Sequence, residues 1–319
     1  MKIAFTSCMS TTVFRDQPVW DQIRAQQPDH LVLTGDSIYI DAPPFDVHPK
    51  QMSDDAFAQH VFNRWRDLLT QPQFKALVSQ VPTSAIWDDH DFLWNEHYEE
   101  RAIRRKVYRG LIRSSRALFN AYRRALDARL APGSFPAAYN DASLWQPNEP
   151  PPGYQCKDLA PGVVLHLTDG RSERVDRTLL GASQRDAIAA QMAMRSSDTV
   201  HLLASGSVVE NNAGDQWGTF DDHAWLLNLA RHHKILVLSG DIHDNVFDPI
   251  DVGGGRFLYD ATASGAAIRR LMTLLSPLQN YGLVEIDDHE LRVSLYSFGQ
   301  PNFEQPKRID RQSWRLISP

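Results

Sequence analysis

"LVLTGDSIYID", residues 31–41, supports two incompatible readings. Gly35-Asp36-Ser37 is what a serine esterase of the GDSL type shows around its nucleophile. Gly35-Asp36-x-x-Tyr39 is what a binuclear metal phosphatase shows around a bridging carboxylate. In the first, Ser37 attacks the substrate. In the second, Asp36 holds metal and Ser37 fills a turn. The partners supplied by the rest of the chain decide between them.

Outward from this stretch, strand and helix signals alternate. "KIAFTSC" is an apolar run followed by helical spacing from Asp16 to Gln27, with Trp20 and Ile23 on one face. "SDDAFAQHVFNRWRDLLTQPQFKALVSQ" carries helical periodicity behind Ser53 as N-cap, and "TSAIWDDH" is a third strand running into charge. A long basic helix follows, with Ile103, Val107 and Leu111 at four-residue spacing, and then a proline-rich loop, "QPNEPPPGY". The region from about 98 to 155 reads as a helical and Pro-rich insertion in one domain spanning 1–319. Beyond it "GVVLHLTDG", "HLLASGSVV", "KILVLSGDIH" and "RFLYDATAS" are strands, with "GASQRDAIAAQMAMR" and "FDDHAWLLNLARHH" helical between them. "YGLVEIDD" and "LRVSLYSF" form an antiparallel pair turning at Asp287-Asp288-His289-Glu290. Such alternation specifies an α/β fold with functional groups at strand ends.

Composition sets outer bounds. The 319 residues are 42% hydrophobic and 23% charged, a globular balance without a run long enough to span a membrane. The opening, MKIAFTSCMS, turns polar too early for a secretory apolar region, so the expectation is a cytoplasmic protein. Two cysteines, Cys8 and Cys156, give no disulfide framework. A net charge of −6 argues against nucleic acid as a partner, except as a phosphodiester substrate. Yet nine Lys or Arg fall between Arg101 and Arg124. They read either as the solvated face of a helix or as a device steering an anionic substrate, with Arg104, Arg105 and Arg109 the residues in question.

Cys8, Asp36, Asp88-Asp89-His90 and Asp241-Ile242-His243 each stand immediately past an apolar strand run. Singly, each has an ordinary structural reading: a buried small thiol, a helix cap, a turn former. Together they would meet in one cleft at a shared sheet edge. The serine-esterase reading needs a histidine beside Ser37, oriented by an acid as a late Asp-x-x-His. Asp241-Ile242-His243 is one residue too short for that, and Cys8, Tyr39 and the Asp-Asp-His run would have no role. The metal reading employs them all. Two cations sharing a carboxylate can clamp a phosphoryl group and generate hydroxide near neutral pH. Asp36 can bridge, Cys8, Tyr39, Asp89, Asp241 and His243 can terminate, and His90 remains as the acid.

In this the sequence resembles the alkaline phosphatase D (PhoD-like) family of the calcineurin-like metallophosphoesterase superfamily. The matching pieces run in family order: "FTSC" at 5–8, "TGDSIYID" at 34–41, "IWDDHDFLWNE" at 86–96, "TDGRSER" at 168–174, "GASQRD" at 181–186, "DQWGTF" at 215–220, "VLSGDIHD" at 237–244 and "YDATASG" at 259–265. The resemblance implies a four-layer αββα sandwich with metals at the strand ends, held by Cys8, Asp36, Tyr39, the Asp pair, Asp241 and His243. Asp89 takes the place of the Asn in the superfamily's Gly-Asn-His-Glu motif, which puts His90 on its catalytic histidine and leaves Asp88 for a further ion. Asn95 is a candidate for phosphate or metal. Arg171 is a candidate anion clamp or a structural ion pair. The chain departs from the wider superfamily at Ser7-Cys8-Met9, where that has Asp-x-His, and at Gly240-Asp241-x-His243, where it has Gly-His-x-His. It has no histidine near Ser205 or Ser207.

The expected activity is hydrolysis of small phosphate mono- or diesters, with hydroxide generated at the metals attacking phosphorus and His90 protonating the departing oxygen. A binding or regulatory protein that keeps the fold without turnover is the alternative class. Thiolate and phenolate together at Cys8 and Tyr39 favour ferric iron, and the oxygen ligands Asp89 and Asp241 suit calcium, with zinc, manganese or magnesium as other occupants.

Overall fold

The computed structural model describes residues 1–42, 47–104, 108–146, 149–210, 215–268 and 277–317. The first half contains β1 (Lys2–Met9), α1 (Val19–Ala25), β2 (His30–Thr34), α2 (Asp54–Thr70), α3 (Pro72–Val78), β3 (Thr83–Ile86), α4 (Asp89–Phe92), α5 (Glu99–Arg104) and α6 (Arg109–Asp127). The second half follows with β4 (Gln155–Ala160), β5 (Val163–Leu167), α7 (Gly181–Ala193), β6 (Val200–Ala204), α8 (Asp222–Ala230), β7 (Lys234–Ser239), β8 (Asn245–Gly253) and β9 (Arg256–Ala267). It ends with β10 (Tyr281–Ile286), β11 (Glu290–Ser297), β12 (Gln300–Pro301), β13 (Lys307–Asp310) and β14 (Arg315–Leu316).

The strands form two leaves. One runs β14-β13-β11-β10-β1-β2-β3, the other β4-β5-β6-β7-β9-β8. β1 pairs with β2 and β10 over its first residues, then crosses to β9 through Ser7↔Ser264 and Met9↔Ala267. Alternation along each strand sorts its side chains between faces. Ile3, Phe5, Val32 and Ile86 of the first leaf meet Leu165, Leu202, Leu236 and Ala261 of the second in one apolar layer. Ala4, Leu31 and Leu33 face outward instead, onto Trp20, Phe57, Trp65 and Tyr122 of the helices. Leu203, Ile235 and Val237 face α7 and α8 through Ile188, Met192 and Leu226. The architecture is therefore the expected α-β-β-α sandwich, and burial on both faces explains the unbroken apolar runs of β2, β5 and β7.

Several boundaries differ from the sequence reading. The long helix expected from Ser53 is two helices. Gln71, preceding Pro72, is extended (φ −59°, ψ 123°) because proline clashes with an α-helical predecessor, and its side chain caps Phe74 N at 2.6 Å. The basic helix is likewise divided into α5 and α6; Arg105 and Val107 lie outside the described residues. Its cations are largely used within the chain. Arg104 pairs with Glu100 and with Asp176 at 3.3 Å. Arg116, Asn120 and Arg123 of α6 hold the carbonyls of Glu149, Pro150 and Pro152, fastening the proline-rich segment to the helix. Among the described residues, no helix is long and apolar enough to cross a membrane.

Gly282 of β10 lies directly opposite Phe5 of β1, and a Cβ there would stand 2.1 Å from the fully buried Phe5 ring. Gly282→Ala should therefore destabilise the fold by about 1–3 kcal/mol, read as a lower urea midpoint at unchanged slope. An unchanged midpoint would show that the ring has room to swing aside.

Candidate metal centre

The site lies where β1 crosses between the leaves. Cys8 N donates to Gly35 O at 3.3 Å and Met9 N to Asp36 O at 2.9 Å, so the end of β1 is locked to the turn after β2. Four chemistry-bearing residues have left-handed backbones: Cys8 (φ 60°), Asp36 (50°), Asp241 (69°) and His243 (51°). Non-glycine residues seldom accept this conformation, and it bends the chain sharply enough to turn each side chain off its strand axis. Gly35 (φ 102°) makes the same bend where a side chain would not fit, its Cβ position being 2.7 Å from Asp88 Cβ.

Asp36 is the hub. Its Oδ2 lies 3.4 Å from Cys8 Sγ and 3.3 Å from the Tyr39 hydroxyl, while its Oδ1 is buried with no hydrogen-bond partner among the described residues. Two groups of potential ligand atoms, each within 4.8 Å of one another, share it: Asp36, Asp89 and His90 on one side, Asp36, Asp88 and Asp241 on the other. Tyr39 OH lies 3.0 Å from His243 Nε2. Ser264 donates to Cys8 Sγ at 3.2 Å and accepts from His243 N at 3.0 Å, tying β9 to both. The structure thus gathers Cys8, Asp36, Tyr39, Asp88, Asp89, His90, Asp241 and His243 in one place.

The electrostatics are those of too many carboxylates out of water. Burial pushes Asp36 well above the usual carboxylate range, Asp88 and Asp91 up to about 8, and Asp241 up to about 7. Burial also raises the Cys8 thiol and the Tyr39 phenol. Burial acts on Asp89 as well, but Arg171, His90 and the Glu96 N–H outweigh it and hold that carboxyl low. On His90, burial disfavours the imidazolium, yet Asp89, Asp36 and Asp41 together keep it protonated well above the ordinary histidine range. Buried oxygens without partners, Asp36 Oδ1 and Asp88 Oδ2, complete a donor set that fits bound cations.

The remaining candidates take other positions. Arg171, only 1% exposed, is enclosed by Asp88, Asp89 and Asp215. Asn95 is exposed at the rim, where its backbone N–H donates to Asp41 Oδ2 at 3.1 Å. Ser37 is buried beside the Tyr122 phenol, and among the described residues no histidine hydrogen-bonds its hydroxyl. Three further aspartates were given no role from sequence. Asp41 contacts His90 Nδ1 at 2.5 Å, Asp91 accepts from Ile38 N and Asp88 N at 2.9 and 3.0 Å, and Asp215 N donates to Asp241 Oδ2 at 3.0 Å. Their signal was position: all three stand within matched motifs, Asp41 and Asp91 close to residues that had obvious roles.

Residues 3–129 match the family model described as PhoD-like phosphatase. A solved structure described as that of PhoD superposes at TM-score 0.67 and 15% identity, covering 99% of this chain and 71% of that one. The chain therefore shares the fold of the PhoD structure, and its first 129 residues carry the sequence likeness to PhoD-like phosphatases. A dimetal phosphatase from Danio rerio superposes at TM-score 0.52 and 13% identity, over 98% of this chain and 99% of that one. No curated protein matches by sequence. The PhoD-like family match takes in Cys8, Asp36, Tyr39 and the Asp88–His90 run and stops past α6, so Arg171, Asp241 and His243 lie beyond it. Together these likenesses show a fold shared with solved phosphatases, built around a shared-carboxylate cluster that could hold metal.

In protein stripped of cations, Asp241 should cost stability. Its carboxyl is raised to about 7 in the fold, against about 3.9 in an unfolded chain. The folded state therefore holds the proton more tightly, and stability present at acid pH is lost as pH rises through about 7. Asp241→Asn should raise the stability of stripped protein at pH 8 by about 1–3 kcal/mol, while reducing the gain on adding cation. Thermal melts with and without cation test this. A variant less stable than wild type in the stripped state would contradict it.

Proposed function

We propose that the protein hydrolyses small phosphate esters, mono- or diesters, at a binuclear cation site bridged by Asp36. The supporting observation is that Asp89 in one group and Asp88 and Asp241 in the other converge on this one buried carboxylate, whose Oδ1 has no hydrogen-bond partner among the described residues. Asp89 and His90 flank it on one side, Asp88 and Asp241 on the other, and Cys8, Tyr39 and His243 adjoin it. Bound cations would neutralise the phosphoryl oxygens and acidify water. The donor chemistry favours Fe³⁺ near Cys8 and Tyr39 and Ca²⁺ near the carboxylates. A cytoplasmic location belongs to the same proposal.

His90 is the proton donor in this reading. Asp41 occupies its Nδ1, which orients the ring and leaves Nε2 to face the departing oxygen. Tyr39 stacks on the ring at 4.2 Å and 28°, limiting its rotation. The surrounding carboxylates keep the proton in place until it is delivered. Asn95, beside Asp41 at the rim, is placed to meet the ester.

Protein purified without chelators should contain metal and turn over p-nitrophenyl phosphate, its bis ester, or both, and chelation should abolish the activity. Asp36→Asn should lose bound metal and rate together, whereas Ser37→Ala should keep most of both. Metal bound without turnover of either ester would make this a binding protein. Full activity with zinc or magnesium alone would overturn the iron and calcium assignment.

His90→Ala should slow esters with poor leaving groups by about 10²–10⁴-fold and spare those with good ones. A rate series over substituted phenyl phosphates measures this. Equal losses throughout the series, with metal still bound, would give His90 another task.

A further inference from the structure

Arg171 follows β5 and reaches the site fully buried, and every edge of its guanidinium meets a carboxylate. Nε and Nη2 both contact Asp88 Oδ1, at 2.6 and 2.5 Å. Nη1 lies 3.3 Å from Asp215 Oδ2, and Nη2 lies 3.9 Å from Asp89 Oδ1. That fork is spent on the protein, with no face turned to a substrate. Its effect on Asp88 is specific: one oxygen is fixed twice, and Oδ2 remains buried and without a partner.

Asp88 is also seated sterically. A Cβ on Gly206 would stand 2.5 Å from its Oδ1 and 2.6 Å from its Cγ, and one on Gly35 would stand 2.7 Å from its Cβ. Either side chain would push the carboxylate out of place. The same arginine reaches Asp241 indirectly. Arg174, packed on the Tyr98 and Phe220 rings at 4.8 and 4.9 Å, grips Asp215 at 2.6 and 3.2 Å. Asp215 then donates its backbone N–H to Asp241 Oδ2 at 3.0 Å.

We propose that Arg171 is a positioning residue that fixes Asp88 directly and Asp241 through Asp215, so that their other oxygens and Asp36 form one hard-cation site, with Gly206 as the gap that seats Asp88. This rests on the cation-dependent reading of the site. Partners that orient ligating carboxylates typically matter by about 10–100-fold in metal affinity.

The test is calorimetric titration of the stripped full-length chain with Ca²⁺ alone and with Mn²⁺ alone. Arg171→Met and Gly206→Ala should each weaken the tighter-binding of these ions by about 10–100-fold. Arg171→Lys, which keeps the charge but not the planar fork, should fall between Met and wild type. With cation saturating, KM for p-nitrophenyl phosphate should stay near the wild-type value in Arg171→Met. A raised KM with unchanged cation affinity would make Arg171 a substrate clamp and overturn the proposal. Should Arg171→Met fail to fold, Arg171→Lys decides the role of the arginine, while Gly206→Ala, which leaves the guanidinium intact and displaces Asp88, tests the seat of that carboxylate separately. A wild-type chain that takes up no cation sinks the cation-dependent reading, whereas cation binding unaltered in both variants sinks only the role of Arg171.

Discussion

The centre of this protein is organised around one carboxylate that cannot be satisfied by the chain itself. Asp36 is buried where two leaves of sheet converge, its Oδ2 approached by a thiol and a phenol and its Oδ1 by no donor among the described residues. Desolvating a carboxylate without compensation is costly, and Asp88 and Asp241 repeat the cost within a few ångströms. A fold selected for stability alone would place apolar side chains here. Charge this dense is explained by a bound positive partner, which makes the site a liability when empty and a source of stability when filled.

Backbone conformation carries part of the same burden. Four of the gathered residues, Cys8, Asp36, Asp241 and His243, adopt left-handed φ angles, a conformation that costs L-residues roughly 1–2 kcal/mol each. The surrounding hydrogen bonds hold them there: Cys8 N to Gly35 O, Met9 N to Asp36 O and His243 N to Ser264 Oγ. The rigid sandwich over-determines these turns, and what it obtains is a set of side chains aimed at a common point from strands that run in different leaves.

Much of this was legible in the chain. Strands buried on both faces leave uninterrupted apolar runs, so β1, β2, β3, β5, β6 and β7 stood out, and the residues at the end of β1 or just past β2, β3 and β7 identified the cleft. What escaped was written in weaker signals. β4 is a half-exposed edge strand of mixed polarity, and β8 contains Pro249 at an edge, so neither shows an apolar run. The supporting aspartates were obscured for a different reason. Asp41 and Asp91 sit beside stronger candidates in the same motifs, and Asp215 acts through its backbone, which no side-chain pattern reveals. The basic stretch misled through composition: a count of charges could not show that Arg116 and Arg123 hold the chain's own proline-rich segment.

Among the described residues, β1 and β9 are the strands through which the two leaves join, over the short pairing from Ser7 to Met9. Asp36 and Asp88 extend from one leaf and Asp241 from the other. Away from that spine the leaves are kept apart by interlocked side chains such as Phe5, Val32, Leu202 and Leu238. The distance between these opposing carboxylates is consequently gauged by the thickness of a hydrocarbon layer that takes no part in the site itself. A methylene added or removed deep within that layer would spread or close the jaws of the site, giving evolution a way to retune its reach without altering any of the gathered side chains.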